Sequence, residues 1–347
     1  MDEEAVREAL REVSDPDLET DIVSAGLVND IELTDGEVRV SLALGTPYSP
    51  IESAIADRVR EVLNEHDVEP VLSARYDRDP DVADGPLPSV KNIIAVSSGK
   101  GGVGKSTVSV NVAAALANRG ARVGLFDADV YGPDVPRMAG SSERPKATTD
   151  EKLVPPEQYG IKLMSMAFLI GEDDPIIWRG PMVHKVLTQL FDDVVWGELD
   201  YMVIDLPPGT GDTQLTMLQT IPITGAVVVT TPQQVAVDDA QRGLEMFSRH
   251  DTVVLGIVEN MGAFTCPDCG STHDIFGEGG GEALAERADI PFLGRIPLDP
   301  SIRTGGDEGQ PIALADDSAT GEAFRELGGQ IADMVSIINR RRLAERH

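Results

Sequence analysis

The period of the hydrophobic positions changes along the chain. Val6, Leu10 and Val13 recur at helical spacing and predict an opening helix, which Asp15-Pro16-Asp17 interrupts. Two stretches of strand character follow, 26–33 and 38–44, with the turn chemistry of a hairpin at Thr34-Asp35-Gly36. Ser49-Pro50 starts a helix expected to reach about Asn64, and Val68 to Ala74 reads as a third strand. Residues 1–76 therefore predict a small α+β domain. Residues 77–90 carry the proline, glycine and aspartate content of a linker. From Lys91 the pattern becomes strands alternating with helices, which predicts a mostly parallel sheet over residues 91–347. The expected strands are 92–97, 122–126, 163–166, 201–205, 226–230, 253–258 and 292–296, with a closing helix from about Ala319 to Arg346.

Length agrees with this division, since 347 residues at ~100–200 per domain imply two. No run approaches the ~18 consecutive apolar residues of a membrane span, and the acidic opening Met1-Asp2-Glu3-Glu4 is unlike a secretory signal. A cytoplasmic location without membrane association is expected. Charge sharpens the picture: 59 acidic against 29 basic residues give −30. The basic residues are mostly arginine; the lysines are Lys91, Lys100, Lys105, Lys146, Lys152, Lys162 and Lys185. An acidic, lysine-poor surface stays hydrated and screened at molar salt, so the composition reads as halophilic. It argues against non-specific nucleic-acid binding, which needs cations to neutralise phosphates. Arg340-Arg341-Arg342 reads as positive charge offsetting the dipole at the end of the closing helix.

The strongest local signal is Gly99-Lys100-Gly101-Gly102-Val103-Gly104-Lys105-Ser106-Thr107, which follows an apolar strand and opens an amphipathic-looking helix at Val108–Asn118. Strand, glycine loop and helix in that order make a P-loop, whose amides cradle phosphate oxygens at the positive end of the helix dipole. Lys105 is expected on the β- and γ-phosphates, the Ser106 hydroxyl on Mg²⁺ and Thr107 by the α-phosphate. An ordinary P-loop does not require Lys100. A second lysine there could reach the nucleotide of a facing subunit, an arrangement that resembles the deviant P-loop ATPases of the MinD, ParA and nitrogenase iron protein class.

Three strand ends add to the site, because ligands of open α/β sheets bind beyond the carboxyl ends of strands. Asp127-Ala128-Asp129 ends one strand; Asp129 is the candidate for orienting the attacking water, with Asp127 supporting the magnesium shell. Asp205 ends a Walker-B-like strand that runs into Leu206-Pro207-Pro208-Gly209, so Asp205 is expected to hold Mg²⁺ through water and the Gly209 backbone to sense the γ-phosphate. Asn260 after the next strand can pair with the donor and acceptor edge of adenine.

Cys266 and Cys269 are the only cysteines. A redox dithiol expects a helix start in a thioredoxin-like unit, whereas this pair lies in a turn-rich loop. Zinc needs four ligands, and His273 with Asp268 or Asp274 would have to complete them. A cubane iron–sulfur cluster needs four thiolates, which points to two chains contributing one pair each.

Taken together, the P-loop, Asp127-Ala-Asp-Val-Tyr-Gly-Pro, Asp205-Leu-Pro-Pro-Gly-Thr-Gly-Asp, Glu259-Asn-Met and Cys266-Pro-Asp-Cys269 resemble the Mrp family of iron–sulfur P-loop ATPases over about residues 91–340. The resemblance implies ATP and Mg²⁺ as cofactors, slow ATP hydrolysis, and a homodimer sharing a [4Fe–4S] cluster through Cys266 and Cys269. It also implies transfer of that cluster to apoprotein clients, with scaffold proteins as further partners. Asp15-Pro-Asp, 21–28 and Thr46-Pro-Tyr-Ser-Pro50 resemble a PaaD-related iron–sulfur assembly domain. That family often has a cysteine where Ser49 stands here, and serine is a poor ligand for soft metals. A spatial-organising ATPase like MinD or ParA is the competing class; it does not need the two cysteines. A reductase like the nitrogenase iron protein uses widely separated ligand cysteines.

Overall fold

A computed structural model describes residues 2–34, 37–44, 46–66, 68–75, 86–130, 132–168, 186 and 190–345. The turn at Asp35-Gly36, most of the expected linker, Tyr131 and the Trp178–Met182 stretch lie outside the described residues. The chain forms two compact units, Met1–Pro80 with Ala332–His347, and Asp81–Ile331.

In the first unit α1 (Glu3–Leu10) and α2 (Pro50–Glu65) pack with a sheet of β1 (Val28–Thr34), β2 (Glu37–Leu42) and β3 (Pro70–Ala74). Strands β1 and β2 are antiparallel; β2 and β3 are parallel. Alternation decides the faces: Val38, Val40 and Leu42 are buried while Arg39 between them is exposed. Ile55, Val59, Val62 and Leu63 of α2 join Val6, Ala9 and Leu10 of α1 in the core. Asp2 caps α1 by accepting from the Ala5 amide at 2.9 Å, and Ser49 Oγ accepts from the Glu52 amide of α2 at 3.3 Å.

The closing helix, α8 below, runs Ala319–Ala344, and its last turns belong to this first unit, not to the domain the sequence assigned them to. The reason is a set of polar side chains, Asp333, Ser336, Asn339 and Arg340, each of which has a partner in the first 52 residues. Arg340 is fully buried; its guanidinium donates to Asp15 and, at 2.9 Å, to Asp17, and its Nε donates to Ser336 Oγ at 3.1 Å. Arg340 is thus a core ion pair and not a cation offsetting the helix dipole; Arg341 and Arg342 stay exposed. Asp333 accepts from the Ser49 hydroxyl at 2.6 Å and from the Ile51 amide at 2.9 Å. Asn339 donates to Thr46 Oγ1 at 3.2 Å.

Glu52 sits inside this network, accepting from Ser336 Oγ at 2.8 Å and from the Thr46 amide at 3.2 Å. Burial pushes its carboxyl up to about 7, against the opposing pull of the Ser336 and Thr46 hydrogen bonds and the Arg340 charge. A carboxyl whose folded value lies above its unfolded one stabilises fully at low pH, and that stability is lost as pH rises through about 7. The change is on the order of 3 kcal/mol. Glu52→Gln, neutral throughout, is expected to flatten the loss of protection of α2 amides between about pH 5 and pH 7 in hydrogen exchange. An equally steep loss in the variant would assign the pH dependence to another group.

Among the described residues the second unit is built on an eight-stranded sheet. Its strands are β4 (Val90–Ser98), β5 (Val123–Asp127), β6 (Ile161–Ser165), β7 (Leu199–Asp205), β8 (Gly225–Thr230), β9 (Val254–Glu259), β10 (Phe292–Arg295) and the short edge strand Glu157–Gln158. The order is edge strand, β6, β5, β7, β4, β8, β9, β10, parallel except at the edge strand. Near-continuous burial along β5, β7 and β8 fits a sheet covered on both faces. The longer described helices of this unit are α3 (Lys105–Asn118), α4 (Asp212–Thr220), α5 (Gln234–Arg249), α6 (Gly280–Ala288) and α7 (Pro300–Glu308), with the first part of α8 (Ala319–Ala344). Helix α3 departs from its amphipathic expectation: Val108 to Leu116 are buried on every side. The polar residues there, Ser109 and Asn111, are not a solvent stripe but hydrogen-bond inside, Ser109 to Asp205 and Asn111 to the Thr107 carbonyl and Ala313 amide.

Candidate nucleotide site and cysteine hairpin

Strand β4 delivers the chain into Gly99–Gly104, and α3 begins at Lys105. Gly102 and Gly104 hold φ of +81° and +84°, a region side chains rarely enter, so the loop needs glycine at both. A Cβ on Gly104 would also collide with the Asn260 amide, and one on Gly99 with the backbone of Asp239 and Ala240. No side chain caps α3, which leaves its first amides for a ligand.

Lys105 Nζ lies 2.7 Å from Asp205 Oδ2 and 3.9 Å from Asp129 Oδ2. The Ser106 hydroxyl donates to Asp205 Oδ2 and the Ser109 hydroxyl to Asp205 Oδ1, each at 2.6 Å. Lys105, Ser106 and two of the three expected carboxylates, Asp129 and Asp205, therefore meet at one point, although Asp205 lies about a hundred residues from the P-loop. Ser109 was not anticipated; its position one turn beyond Ser106 on the same helix face was the available signal.

Asp127 is fully buried, and its oxygens are engaged within the chain. Oδ1 accepts from the Asp129 amide at 3.1 Å; Oδ2 accepts from Ser165 Oγ at 2.9 Å and from the Val135 amide at 3.4 Å. Burial, then the Asp205 charge, pushes its carboxyl up to about 8. Asp129 Oδ1 accepts from the Gly132 amide at 3.3 Å.

Asn260 Nδ2 donates to the Val103 carbonyl at 2.8 Å, tying the end of β9 to the P-loop. Asn260 and Thr107 line a cleft of about 350 Å³ whose other walls include Met261, Pro297, Leu298 and Ile302. Beside it the buried Glu259 carboxylate accepts from the Gly279 amide at 3.2 Å, the Gly281 amide at 2.7 Å and Arg295 Nε at 2.7 Å. Gly209, at φ +91°, donates its amide to the Ser98 carbonyl at 2.9 Å. Lys100 is half-buried and makes no ion pair among the described residues; only its carbonyl is engaged, by the Ser98 hydroxyl at 3.0 Å.

The cysteines occupy a tight hairpin closed by the bridge strands Phe264–Thr265 and Thr272–His273. The Cys266 amide donates to the Ser271 carbonyl and the Gly270 amide to the Cys266 carbonyl, both at 2.9 Å, and Gly270 turns the chain at φ +69°. Cys266 is half-buried and Cys269 exposed. Cys269 Sγ lies 2.9 Å from Ser271 Oγ, and hydrogen bonds from Ser271 and Cys266 lower its thiol. Ser271 Oγ in turn lies 3.1 Å from His273 Nε2. Among the described residues no three His, Cys, Asp or Glu side chains converge on a metal position. His273 is engaged by Ser271, and one chain offers two thiols.

Residues 89–332 match the family described as the NUBPL iron-transfer P-loop NTPase, and residues 3–72 match one described as an iron–sulfur cluster assembly protein. The chain belongs to the NUBPL iron-transfer P-loop NTPase family. An iron–sulfur cluster carrier protein of Synechocystis is 45% identical over 345 residues, covering 96% of this chain and 98% of the relative. Among solved structures, an Archaeoglobus fulgidus nucleotide-binding protein in complex with ADP superposes with a TM-score of 0.58 at 39% identity, covering 65% of this chain and 89% of that one. The cell-division ATPase MinD of Pyrococcus furiosus, at 24% identity and a TM-score of 0.52 over 69% of this chain and 98% of its own, shares the fold. These likenesses bear out the P-loop fold and the Mrp resemblance drawn from the motifs. The NUBPL-family match stops at residue 332, where the first compact unit resumes. No described helix of this family member is long and apolar enough to cross a membrane.

Proposed function

We propose that this NUBPL-family protein binds and slowly hydrolyses ATP, carries a [4Fe–4S] cluster between two copies of the chain, and passes it to apoproteins. The observation that carries the reading is a complete P-loop in the same unit as a hairpin that presents two thiols and no third ligand. Two hairpins facing across a two-fold axis would supply the four thiolates a cubane needs. Thiolate is the ligating form, and the lowered Cys269 thiol favours it.

On the nucleotide side, the Gly99–Gly104 amides and the first turn of α3 receive the phosphates. Lys105 exchanges Asp205 for the β- and γ-phosphate oxygens, which frees Asp205 to hold magnesium through water beside Ser106. Asp129, within reach of Lys105, orients the attacking water, and Asp127, in register with Asp205 on the neighbouring strand, supports the magnesium shell from behind. Lys100, which has no ion pair among the described residues, reaches the partner copy's phosphates. Thr107 contacts the α-phosphate, and the cleft lined by Thr107 and Asn260 takes the nucleoside, Asn260 reading adenine while staying tied to Val103. Gly209 reports γ-phosphate status to the rest of the switch loop. Ser49, bonded to Asp333, serves the packing of the first unit, which would leave that unit to dock clients or scaffolds.

Anaerobic reconstitution with iron and sulfide in molar KCl tests the carrier reading. About two irons and two sulfides per chain in a dimer are expected, with Cys266→Ala and Cys269→Ala each at background iron. Stoichiometric zinc, unchanged iron in either variant, or a metal-free protein with full ATPase activity would overturn it; the last would favour an organising ATPase.

A further inference from the structure

Gln214 lies in the first turn of α4 and is 1% exposed. Its Nε2 donates to the Pro207 carbonyl and, at 3.3 Å, to Ser97 Oγ. Its Oε1 is buried with no hydrogen-bond partner. The Pro207 carbonyl can only accept, so the amide nitrogen must face it and the oxygen cannot be turned into that place. Two further bonds tie the same loop to the same strand: the Leu206 amide donates to the Val96 carbonyl at 3.0 Å and the Gly209 amide to the Ser98 carbonyl at 2.9 Å. The loop that leaves Asp205 is therefore fastened along Val96, Ser97 and Ser98, the last residues before the P-loop. In this arrangement the Gly209 amide is spent on a backbone carbonyl and cannot meet a phosphate. A buried amide with one end satisfied and the other empty is unusual, since buried polar groups are nearly always paired, and it calls for a specific explanation.

We propose that Gln214 is a positioning residue that holds the switch loop in its parked state, so that ATP, but not ADP, must break the Gln214–Pro207 contact to engage Gly209. The inference rests on the ATP-binding reading above and assigns the loop's discrimination between the two nucleotides to a residue outside the phosphate cradle. A ligand that makes the same contacts in both loop states shifts nothing, whereas one that needs the released state binds more weakly by the fraction parked.

Gln214→Met keeps the volume and removes the donor. Binding of MgADP and of a non-hydrolysable ATP analogue by the full chain separates the outcomes. ADP affinity is expected to stay within about twofold while the ATP analogue binds about tenfold more tightly, a coupling of ordinary size for a two-state element. Ser97→Ala, which removes one acceptor and leaves the Pro207 contact, is expected to shift the ratio in the same direction by less, and it serves if the methionine variant fails to fold. An ATP analogue that binds more weakly with ADP unchanged would place Gln214 in the ATP-bound state and overturn the proposal. Equal weakening of both nucleotides, or no change in either, would also overturn it. Failure of the unsubstituted chain to bind ADP would instead refute the nucleotide reading itself.

Discussion

Lys105→Ala is expected to lower the MgATP hydrolysis rate by about 10²–10³-fold, the scale of removing one preorganised charge from a phosphoryl-transfer site. The geometry explains why a single ammonium matters so much. Lys105 is 6% exposed, its Nζ touches Asp205 and approaches Asp129, and the loop glycines bring phosphate-binding amides to the same point. Arginine would not serve there, because its larger planar group would have to fit a space shaped for a compact ammonium between two carboxylates. The variant should remain folded: Asp205 keeps the Ser106 and Ser109 hydroxyls, and Asp127, already pushed up to about 8, can carry a proton in place of the missing cation. Steady-state hydrolysis and calorimetric nucleotide binding check this. A variant hydrolysing at the unsubstituted rate would remove Lys105, and with it the P-loop, from the chemistry.

Arg340→Met is expected to destabilise the first unit by about 3–5 kcal/mol, the cost of stranding buried charge by removing its partner. Asp15 is fully buried and loses its guanidinium, Asp17 loses a 2.9 Å bond, and Ser336 loses the donor that fixes it between Arg340 and Glu52. Without the Arg340 charge, which opposes burial at Glu52, that carboxyl should rise further. Hydrogen exchange of α1 and α2 amides in the full chain reads the effect. Arg341→Met, an exposed neighbour, should stay within about 0.5 kcal/mol and controls for loss of charge at the helix end. Equal effects of the two substitutions would mean that the buried network contributes nothing beyond the general charge.

The sequence by itself determined the two fold classes, nearly every strand of the parallel sheet and the P-loop between strand and helix. Those features are local: alternation sets β2, apolar runs set β4 to β9, and a glycine loop between strand and helix is legible without knowing what surrounds it. The carboxylates Asp127, Asp129 and Asp205 were legible too, because each ends or follows a strand in a parallel sheet, where topology places ligands. Only the tertiary structure decided their partners. Asp127 and Asp205 carry the same group at equivalent positions of neighbouring strands, paired in register, yet Ser165 and two amides hold one while Lys105, Ser106 and Ser109 hold the other. Partners so distant in sequence leave no periodic trace. The same holds for Arg340, whose place in an arginine run suggested a solvated helix end. Its burial against Asp15 and Asp17, more than 320 residues away, is a long-range contact that no local pattern of hydrophobic and polar positions encodes.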